Sequence, residues 1–512
     1  MVKTNSPVKI KKILVANRGE IAVRIMRSCR EMGIETVAVY SDADRSSLHV
    51  RYATEAYHIG PSASSESYLR MDKILEVARI SGADAIHPGY GFLSENSTFA
   101  RKCLEAGIKF IGPSAESIEA MGDKISARKR MIAAGVPVVP GTTEKIVDEK
   151  EAVEVIRGIG LPVMIKASAG GGGKGMRLVK KEEDIKAAIR GAKSEAKTAF
   201  GDDSLYIEKY IESPHHIEFQ VLADQYGDAV HLFERECSVQ RRHQKVVEET
   251  PSPIMTPEVR EKMGACAVAA TKAANYEGAG TIEFIVDDKL NFYFLEMNTR
   301  LQVEHPITER VVGVDLVREQ IRVAEGHPLP FKQKDLKMNG HSMECRIYAE
   351  DTDNNFMPNP GKITHITEPM GLGVRCDGYI HEGYTIPIYY DPMISKLIIW
   401  GRTREEVIER MRRALYEYKI SGVKTSIKYL VKIMETPDFR NGTYNTHFIE
   451  DNEEFLNSKF KCDTHCEDIS LIAAFIEHSA RVKQTKPIVP QDRAVGVKGW
   501  KHRGRRAGMQ RM

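Results

Sequence analysis

The most informative part of the sequence is Lys166-Ala167-Ser168-Ala169-Gly170-Gly171-Gly172-Gly173-Lys174-Gly175. It follows the apolar run 161–165, which has the composition of a buried strand. Four successive glycines cost much backbone entropy on ordering, so stability alone does not explain them. Their N–H groups can approach a polyanion closely, and two lysines add positive charge. The run therefore predicts a mobile flap over nucleotide phosphates, with a flexible surface hairpin as the alternative.

Two other glycine motifs do not fit this run. A P-loop places Gly-Lys-Ser/Thr at the start of a helix, and the dinucleotide fingerprint opens the first βαβ unit of its domain. Residues 170–175 meet neither condition. Next along the chain, Glu208, Lys209 and Ile211 lie in a strand pattern. Beside a nucleotide flap this pattern suits a hinge that binds adenine, and an ordinary sheet strand is the alternative.

The first 120 or so residues predict a parallel sheet with crossover helices. Short β-branched runs alternate there with helical spacing, as in βαβ units. The runs lie at 12–16, 36–40, 83–88 and 108–113.

Further patterns predict the remaining elements. A helix is expected from Ser114 to Ala134, a small antiparallel sheet from Ser342 to Trp400, and helix again from Thr403 to Leu430. After about residue 456 the chain is polar, apart from an amphipathic helical stretch, Ile469 to Phe475. The last fifteen residues are basic without an acidic residue, which is typical of a solvated tail.

An acidic pair predicts a metal site. Glu283 and Glu296 lie within apolar strand patterns, and Asn298 follows two residues later. A carboxylate on a half-buried strand needs a partner. Two carboxylates and an amide form an oxygen-only cluster that suits Mg²⁺ bridging phosphates, and salt bridges to strand neighbours are the alternative.

The densest group of polar residues follows directly. Arg300 and Glu304 lie just beyond the acidic strand, and a basic block spans Ser238 to Lys245. A guanidinium orients small oxyanions in a bidentate manner, and a nearby carboxylate can accept a proton. Taken alone, the basic block would be interpreted as a solvated face.

Composition excludes several classes of protein. The 512 residues suggest about three domains. The 74 basic and 71 acidic residues give a net charge of +3, which does not favour nucleic acid binding. No apolar run reaches the roughly 18 residues of a membrane helix or forms a secretory signal core, so a cytoplasmic protein without membrane contact is expected. Eight cysteines are too few for a disulfide scaffold.

Together these residues resemble the ATP-grasp ligases, and among them the biotin carboxylases. The resemblance covers roughly residues 10 to 455. It rests on the flap, the acidic and basic groups described above, and several long motifs that occur in the expected order. These motifs are Ala16-Asn17-Arg18-Gly19-Glu20-Ile21-Ala22, His87-Pro88-Gly89-Tyr90-Gly91-Phe92-Leu93-Ser94-Glu95-Asn96, Met121-Gly122-Asp123-Lys124, Gln240 to Glu249, and Glu296 to Pro306.

The resemblance implies an α/β fold with α+β lobes. A Rossmann-like parallel-sheet N-terminal domain is expected at 1–122, an ATP-grasp domain with a mobile lid (about 139–210) at 123–330, and a biotin carboxylase C-terminal domain at 331–455. Residues 456–512 would form a tail, partly disordered and basic at its end. The family's N-terminal domain binds no dinucleotide at its Arg18-Gly19-Glu20 turn.

The resemblance also implies a reaction. ATP and bicarbonate would give carboxyphosphate, which breaks to CO₂ and phosphate, and CO₂ would then be fixed on N1′ of carrier-bound biotin. The cofactors would be ATP and two Mg²⁺ or Mn²⁺ ions. The chain contains no Ala-Met-Lys-Met biotin attachment sequence and lacks the length for a carboxyltransferase. It is therefore expected to work as a homodimer with a biotin carboxyl carrier protein and a transferase in trans.

The resemblance also implies the residues of the site, position by position. Those implied for ATP are Lys124, Lys166, Gly171, Gly172, Gly173, Glu208, Lys209, Ile211, His216, Gln240, His243, Glu283 and Glu296; those for the metal are Glu283, Glu296 and Asn298. Those for bicarbonate and biotin are Lys245, Arg300, Gln302, the backbone of Val303, Glu304 and Arg346. Lys245, Arg300, Glu304 and Arg346 would be catalytic: Glu304 would deprotonate bicarbonate, and Arg346 would stabilise the biotin enolate.

Alternatives remain at this stage. The final carboxyl acceptor is expected to be acetyl-CoA or propionyl-CoA, with pyruvate as the alternative. A carbamoyl-phosphate or purine-type ligase, and a nucleotide-binding scaffold without catalysis, are the competing functions. The Arg300–Glu304 stretch and Arg346 argue against another ligase, and an intact metal cluster with a base argues against a scaffold.

Overall fold

The computed structural model describes residues 7–142, 144–167, 176–200, 203–458 and 466–485. The fold is mixed α/β, as predicted. The N-terminal strands are β1 (Lys12–Val15), β2 (Glu35–Ser41), β3 (Glu55–Gly60), β4 (Ala85–His87) and β5 (Lys109–Phe110). The helices among and after them are α1 (Gly19–Glu31), α2 (Leu48–Tyr52), α3 (Met71–Ser81), α4 (Ser97–Glu105) and α5 (Ala115–Gly122).

These five strands form the predicted parallel sheet, in the order β3-β2-β1-β4-β5. Strand β1 is central and pairs in parallel with β2 and β4. Its residues Ile13, Leu14 and Val15 are fully buried, because helices cover both faces of a parallel sheet. The chain leaves β1 at its carboxyl end through Asn17 and Arg18, so this turn lies at the sheet edge where ligands usually bind.

The region 123–210 contains a small antiparallel sheet with helices. Its elements are α6 (Lys124–Ala133), α7 (Glu149–Ile159), β6 (Val163–Ala167), β7 (Arg177–Val179), α8 (Ile185–Phe200) and β8 (Leu205–Lys209). Strand β6 is in the middle, between β7 and β8. The glycines 170–173 and the flanking residues up to Gly175 lie outside the described residues.

The predicted helix from Ser114 to Ala134 is two helices. Helix α5 ends at Gly122, and Asp123 has an extended backbone. The Asp123 side chain accepts a hydrogen bond from the backbone N–H of Ser126 and so caps the N-terminus of α6. The prediction of one helix was wrong because Asp123 stabilises a new helix start better than a helix interior.

The next region supplies long strands. It contains β9 (His215–Ala223), β10 (Ala229–Arg241), β11 (Gln244–Thr250), α9 (Pro257–Ala273), β12 (Gly278–Val286), β13 (Phe292–Asn298), α10 (His305–Val312) and α11 (Leu316–Glu325).

The region after residue 340 mixes short strands with helices. It contains β14 (His341–Tyr348), β15 (Glu350–Asp351), β16 (Met357–Pro358), β17 (Gly361–Lys362), β18 (His365–Thr367), β19 (Val374–Gly378), β20 (Thr385–Ile386), β21 (Met393–Gly401), α12 (Arg404–Glu417), β22 (Lys419–Ser421), α13 (Ile427–Glu435), α14 (Pro437–Asn441), α15 (Phe448–Asp451) and α16 (Glu453–Asn457). The helical prediction for Thr403 to Leu430 was right for α12 and the start of α13 but missed β22 between them.

One antiparallel sheet of eight strands joins these two regions. Its order is β13-β12-β9-β10-β11-β14-β21-β19. The pairing of β11 with β14 aligns Glu248 with Glu344 and continues the sheet across residue 340. The expectation of a separate small sheet for Ser342 to Trp400 was therefore wrong for β14, β19 and β21, which extend the large sheet. The remaining short strands form two-stranded pairs, namely β15 with β16, β17 with β20, and β18 with β22.

Residues 458–512 form a separate unit. Its described part is helix α17 (Cys466–Thr485), which contains the predicted helical stretch. Ile469, Leu471, Ile472, Phe475 and Ile476 are exposed on this helix. Within the described ranges, no helix combines the length and the apolarity that crossing a membrane requires.

A buried ion pair ties the N-terminal sheet to the C-terminal region. Arg18 donates to the two oxygens of Asp44 at 2.6 and 2.8 Å, and Tyr68 donates to the same carboxylate at 2.7 Å. The Arg18 guanidinium lies 4.3 Å from the ring centre of Tyr390 and 5.3 Å from that of Tyr379. Burial would raise the pKa of Asp44, but Arg18 lowers it from 3.8 to about 2.

Asp44→Asn is expected to destabilise the protein by about 3–5 kcal/mol, because it leaves the buried Arg18 without a counter-ion. Denaturant unfolding monitored by circular dichroism measures this loss. The stabilisation by Asp44 is complete above pH 3.8 and is lost as the pH falls through about 2. The difference in the free energy of unfolding between the wild-type protein and Asp44→Asn should therefore shrink over that range. The matched control is Asp72→Asn, which removes an exposed partner of Arg70 and should change stability little.

Candidate active site

A cavity of about 830 Å³ lies between the turn after β1 and the large sheet. Most predicted site residues of the large sheet and of the loop after β13 line it. These are His216, Gln240, His243, Lys245, Glu283, Glu296, Asn298, Arg300, Gln302, Val303 and Arg346. The structure therefore brings together, in one cavity, side chains that are up to 130 positions apart in the sequence.

In the described part of the chain, the predicted ATP residues of the lid, together with Lys124 and Ile211 outside its bounds, are not among the residues that line this cavity. Of the residues that the structure describes, Lys166 and Glu208 form an ion pair on β6 and β8. Lys209 donates to the carbonyl oxygens of Gly160 and Leu161 at 2.9 and 2.8 Å. Lys124 is exposed at the start of α6, and Ile211 is half-buried just beyond β8. Gly171, Gly172 and Gly173 fall outside the described residues, so their predicted role is not assessed by the structure.

The acidic pair lies on neighbouring strands. Glu283 of β12 and Glu296 of β13 are direct cross-strand partners. Partial desolvation by the cavity walls, and then the negative charge of Glu283, raise the pKa of Glu296. The amide oxygen of Asn298 accepts a hydrogen bond from Arg300 at 3.0 Å, while its buried Nδ2 has no hydrogen-bond partner among the described residues. Two facing carboxylates with an amide oxygen are a donor set that Mg²⁺ prefers, and a dication would relieve the repulsion between them.

Lys245 is the central cation of the site. Its Nζ lies 2.6 Å from Glu218 Oε2, 2.9 Å from Glu283 Oε1 and 2.8 Å from Glu304 Oε1. Although burial opposes a charged ammonium, these three carboxylates hold the pKa of Lys245 well above its usual range. They belong to β9, β12 and the N-cap of α10, so one charge connects three elements.

Glu304 is the most enclosed of the predicted catalytic groups, with 0% exposure. One carboxylate oxygen accepts from Lys245, and the other accepts from Arg346 at 3.0 Å. Burial alone would raise the pKa of Glu304, but Lys245 and then Arg346 hold it well below its usual range. Arg346 also donates to Glu248 at 2.7 Å. Burial raises the pKa of Glu248 to about 7 in spite of Arg346.

Arg300 is held at the cavity wall by acceptors on three sides. Its Nε donates to Glu95 Oε2 at 2.8 Å, and its two terminal nitrogens donate to Gln302 and Asn298 at 3.0 Å each. Glu95 also accepts from the backbone N–H of Thr299 at 3.0 Å. The guanidinium is therefore fixed in orientation before any substrate binds.

The histidines occupy the end of the cavity near the β10–β11 hairpin. His216 Nδ1 lies 3.0 Å from Gln240 Nε2, and His216 Nε2 lies 3.0 Å from Glu283 Oε2. Although burial disfavours an imidazolium, Glu283 raises the pKa of His216. His243 is at the tip of the hairpin, where it and Arg242 both have positive φ, as a tight two-residue turn requires.

Several residues of the site were not predicted from the sequence. Glu218 and Arg235 form a fully buried ion pair behind Lys245. Glu218 is two residues from His216 on the same strand, so strand alternation places both on one face. That spacing could have identified Glu218. Glu95 lies in a motif that was recognised, but its contact with Arg300 joins positions 205 apart and has no local signal.

The arrangement suits a reaction between a polyphosphate and a small oxyanion. The cavity has an oxygen-rich end at Glu283, Glu296 and Asn298. Beside it lie fixed cations that bind oxyanions, and a buried carboxylate that can accept a proton. No side chain of these groups is catalytically unusual by itself, and it is their placement in one cavity that indicates an enzyme.

Comparison with known proteins agrees with this arrangement. Three family models match consecutive parts of the chain: the biotin carboxylase N-terminal domain over residues 9–118, the ATP-binding domain of the carbamoyl-phosphate synthase L chain over 123–332, and the biotin carboxylase C-terminal domain over 344–451. Biotin carboxylase 1 of Bacillus subtilis is 55% identical over 442 residues, which are 86% of this chain and 98% of that protein.

The chain belongs to the biotin carboxylase family. The resemblance and the prediction of an ATP-dependent ligase are thereby confirmed. A pyruvate carboxylase subunit from Methanothermobacter thermautotrophicus is 57% identical over 450 residues, or 88% of this chain and 91% of that protein. The N- and C-terminal models distinguish this biotin carboxylase chain from the other ATP-grasp ligases.

A solved structure of the same family has a closely similar fold. It is the biotin carboxylase domain dimer of 2-oxoglutarate carboxylase from Hydrogenobacter thermophilus, in complex with ADP, its magnesium salt and bicarbonate. The TM-score is 0.82 at 49% identity, and the match covers 89% of this chain and all of that one.

Glu95→Gln tests whether the contact with Arg300 matters to this biotin carboxylase chain. The variant keeps the size of the side chain but removes the charge that holds the guanidinium, so bicarbonate-dependent ATP hydrolysis should fall roughly tenfold or more. Steady-state kinetics at varied bicarbonate concentration measures the effect. The control is Glu119→Gln, which removes the carboxylate partner of Arg101 on the surface. An equal loss in both variants would contradict a specific role for Glu95.

Proposed function

We propose that this protein carboxylates biotin on a separate carrier protein, with ATP and bicarbonate as substrates and carboxyphosphate as the intermediate. The observation that carries the proposal is the position of Glu304. It is a buried carboxylate between Lys245 and Arg346, next to the acidic pair Glu283 and Glu296. We infer that the proton acceptor lies directly behind the cations of the cavity wall, which would bind the oxyanion beside a phosphate-metal site.

The ATP end of the reaction would use both the sheet and the lid. Lys124, Lys166 and the flap glycines Gly171–Gly173 are proposed to bind the phosphates. Glu208, Lys209, Ile211, His216, Gln240 and His243 are proposed to surround the rest of the nucleotide. Glu283, Glu296 and Asn298 would hold Mg²⁺ or Mn²⁺, two ions in all, which when bound neutralise charge on the β- and γ-phosphate oxygens. Since Lys166 now pairs with Glu208, its ammonium would have to turn from that carboxylate to a phosphate.

Bicarbonate is proposed to bind among Lys245, Arg300, Gln302 and the backbone of Val303. Glu304 would remove its proton, so that an oxygen attacks the γ-phosphorus and ADP leaves. A carboxylate with a strongly lowered pKa is a weak base in the free protein. The entering anion would compete with Glu304 for Lys245, and losing part of that contact would raise the pKa of Glu304 when the proton must move.

Carboxyphosphate would then break to CO₂ and phosphate. Arg346 is proposed to stabilise the enolate that forms when N1′ of biotin loses its proton to the phosphate just released, and this nitrogen then bonds to CO₂. A preorganised donor of this kind is worth on the order of 3–4 kcal/mol. The Arg346 guanidinium is already oriented by Glu248 and Glu304, so little reorganisation is required during the reaction.

Glu304→Gln should abolish bicarbonate-dependent ATP hydrolysis and leave ATP binding intact. Loss of general-base help corresponds to a roughly 10²- to 10⁴-fold slower rate. The assay compares ATP hydrolysis in the presence of Mg²⁺ and bicarbonate, with and without free biotin, and isothermal titration measures ATP binding. Glu382→Gln, at an exposed carboxylate that pairs with His365, is the control.

Two outcomes separate the proposals. Wild-type hydrolysis that depends on bicarbonate and is stimulated by biotin supports biotin carboxylation, whereas hydrolysis indifferent to biotin would contradict it. Normal turnover by Glu304→Gln would contradict only the assignment of the base.

The acceptor and the assembly are finer proposals. We propose a homodimer, in line with the dimer of the Hydrogenobacter domain. It would serve a carrier protein and a transferase that passes the carboxyl group to acetyl-CoA or propionyl-CoA. The Methanothermobacter relative, which is named for pyruvate carboxylase, favours pyruvate as the second candidate. The cavity described here is proposed to face biotin and not the acceptor, so its geometry supports both.

Reconstitution with a biotinylated carrier and the transferase from the same organism identifies the acceptor. Labelled bicarbonate should be incorporated into an acyl-CoA product if the first proposal holds. Incorporation into a 2-oxo acid product, with acetyl-CoA and propionyl-CoA inert, would overturn it in favour of the pyruvate alternative. The same mixture with the Glu304→Gln protein is the control, because it shows how much label is incorporated without the activity of this chain.

A further inference from the structure

The loop that joins β13 to α10 contains Gln302, Val303 and Glu304 in succession. Gln302 and Val303 line the cavity, and Glu304 is the N-cap of α10. The side chains of this loop have proposed roles. The backbone N–H of Val303 can bind an anion in the cavity only if the peptide plane that contains it is oriented so that the N–H points into the cavity. A planar trans peptide points its C=O and the next N–H in opposite directions. A side chain that donates a hydrogen bond to a carbonyl of this loop therefore also fixes the direction of the N–H of the next residue.

His305 holds the first of these peptide planes. Its Nδ1 lies 2.8 Å from the carbonyl oxygen of Gln302, and since a carbonyl oxygen only accepts, Nδ1 carries the hydrogen. The imidazole is fully buried, and within the described residues its Nε2 has no hydrogen-bond partner. Among the described residues, the carbonyl of Gln302 is thus the one hydrogen-bond partner of this ring, and Glu309 Oε2 lies 4.0 Å from Nε2. Holding this carbonyl fixes the direction of the Val303 N–H.

Lys396 holds the second peptide plane. It projects from β21, is fully buried, and donates to the carbonyl oxygen of Val303 at 2.7 Å. Its counter-ion is Glu20 of α1, 3.3 Å away. Burying an ammonium is costly unless it is paired and hydrogen-bonded, so packing alone does not explain a lysine at this position. Holding the Val303 carbonyl fixes the direction of the Glu304 N–H.

The two anchors come from different parts of the fold. His305 is the first residue of α10, whereas Lys396 is directly across the sheet from Arg346 and reaches the loop from β21. The Glu20 partner belongs to the N-terminal region, at the start of α1. Three regions that are far apart in the sequence therefore meet at residues 302–304 of one loop.

We propose that His305 and Lys396 are positioning residues that hold the peptide planes on the two sides of Val303, so that the Val303 N–H faces the cavity and donates to the bicarbonate oxyanion. The inference rests on the proposed function, since it assigns the residues that orient the bicarbonate-binding loop. Neither side chain touches the reacting atoms. A fixed N–H donor lowers the free energy of an oxyanion without reorganisation at the moment of reaction.

Matched variants test the two anchors separately. His305→Leu removes the donor to Gln302, whereas His305→Asn keeps an N–H at about the position of Nδ1. Lys396→Met removes the donor to Val303, and it is combined with Glu20→Gln so that Glu20 does not remain as a buried carboxylate without its paired cation. The measurement is bicarbonate-dependent ATP hydrolysis without biotin, and Lys424→Met, at an exposed lysine that pairs with Asp351, is the control.

The expected result is a change in one kinetic constant. His305→Leu and the Lys396→Met/Glu20→Gln protein should each raise the KM for bicarbonate roughly tenfold, as loss of one oriented hydrogen bond predicts, with the KM for ATP unchanged. His305→Asn should retain most of the wild-type bicarbonate KM. Thermal denaturation of every variant shows whether it is folded, and the Lys396 variant tests the proposal if His305→Leu does not fold.

Two results would overturn the inference. Wild-type bicarbonate KM values in both donor-deleting variants would exclude positioning, and so would a rise in the ATP and bicarbonate KM values together, which a general structural loss produces. If instead the wild-type protein shows no bicarbonate-dependent hydrolysis, the proposed function fails. That failure is distinct, because it is visible before any variant is measured.

Discussion

The ammonium of Lys245 is the charge on which the rest of the site depends. It is buried with Glu218, Glu283 and Glu304 within 3 Å, and among the described residues it is the one cation that all three carboxylates share. Each belongs to a different element, so the register between β9, β12 and the start of α10 must be correct before the cation is satisfied. Removing one member of a buried charge cluster leaves the others uncompensated, which strongly restricts substitution at all four positions.

The same cluster explains why the cavity suits anions although it is lined by acidic residues. Arg235 balances Glu218 from behind, and Lys245 and Arg346 share Glu304. On the cavity side, Glu283 contacts Lys245 and His216, and its negative charge raises the pKa of Glu296 further than burial does alone. In the proposed function the site would therefore be divided into an end that attracts a dication with its phosphates and an end whose cations turn from carboxylates to a substrate oxyanion.

Local features of the fold could be predicted, and long-range pairings could not. The alternation of strands and helices predicts the parallel sheet because βαβ units are local in the sequence. The pairing of β11 with β14 joins Val247 to Cys345, far apart in the chain, and nothing in either strand distinguishes it from an edge pairing within a small sheet. Asp123 also shows the limit of local patterns: helical spacing continues on both sides of it, but its side chain caps α6 and so divides the predicted helix in two.

The site shows the same division, and the reason is geometric. Local motifs predict the positions of Lys245, Arg300, Glu304 and Arg346. The contacts of Glu95 with Arg300 and of Lys396 with the Val303 carbonyl join elements that are distant in the sequence, so no local pattern predicts them.

The continuous sheet accounts for this difference. Strand β11 carries Lys245 and Glu248, and its neighbour β14 carries Arg346, so the two cations that hold the two oxygens of Glu304 come from adjoining strands. Because β21 then places Lys396 beside Arg346, the groups proposed to orient the base, bicarbonate and biotin depend on two successive strand pairings in one sheet. A shift of one residue in either pairing would turn its side chains to the other face, so the placement of the proposed catalytic groups depends on the register of the sheet.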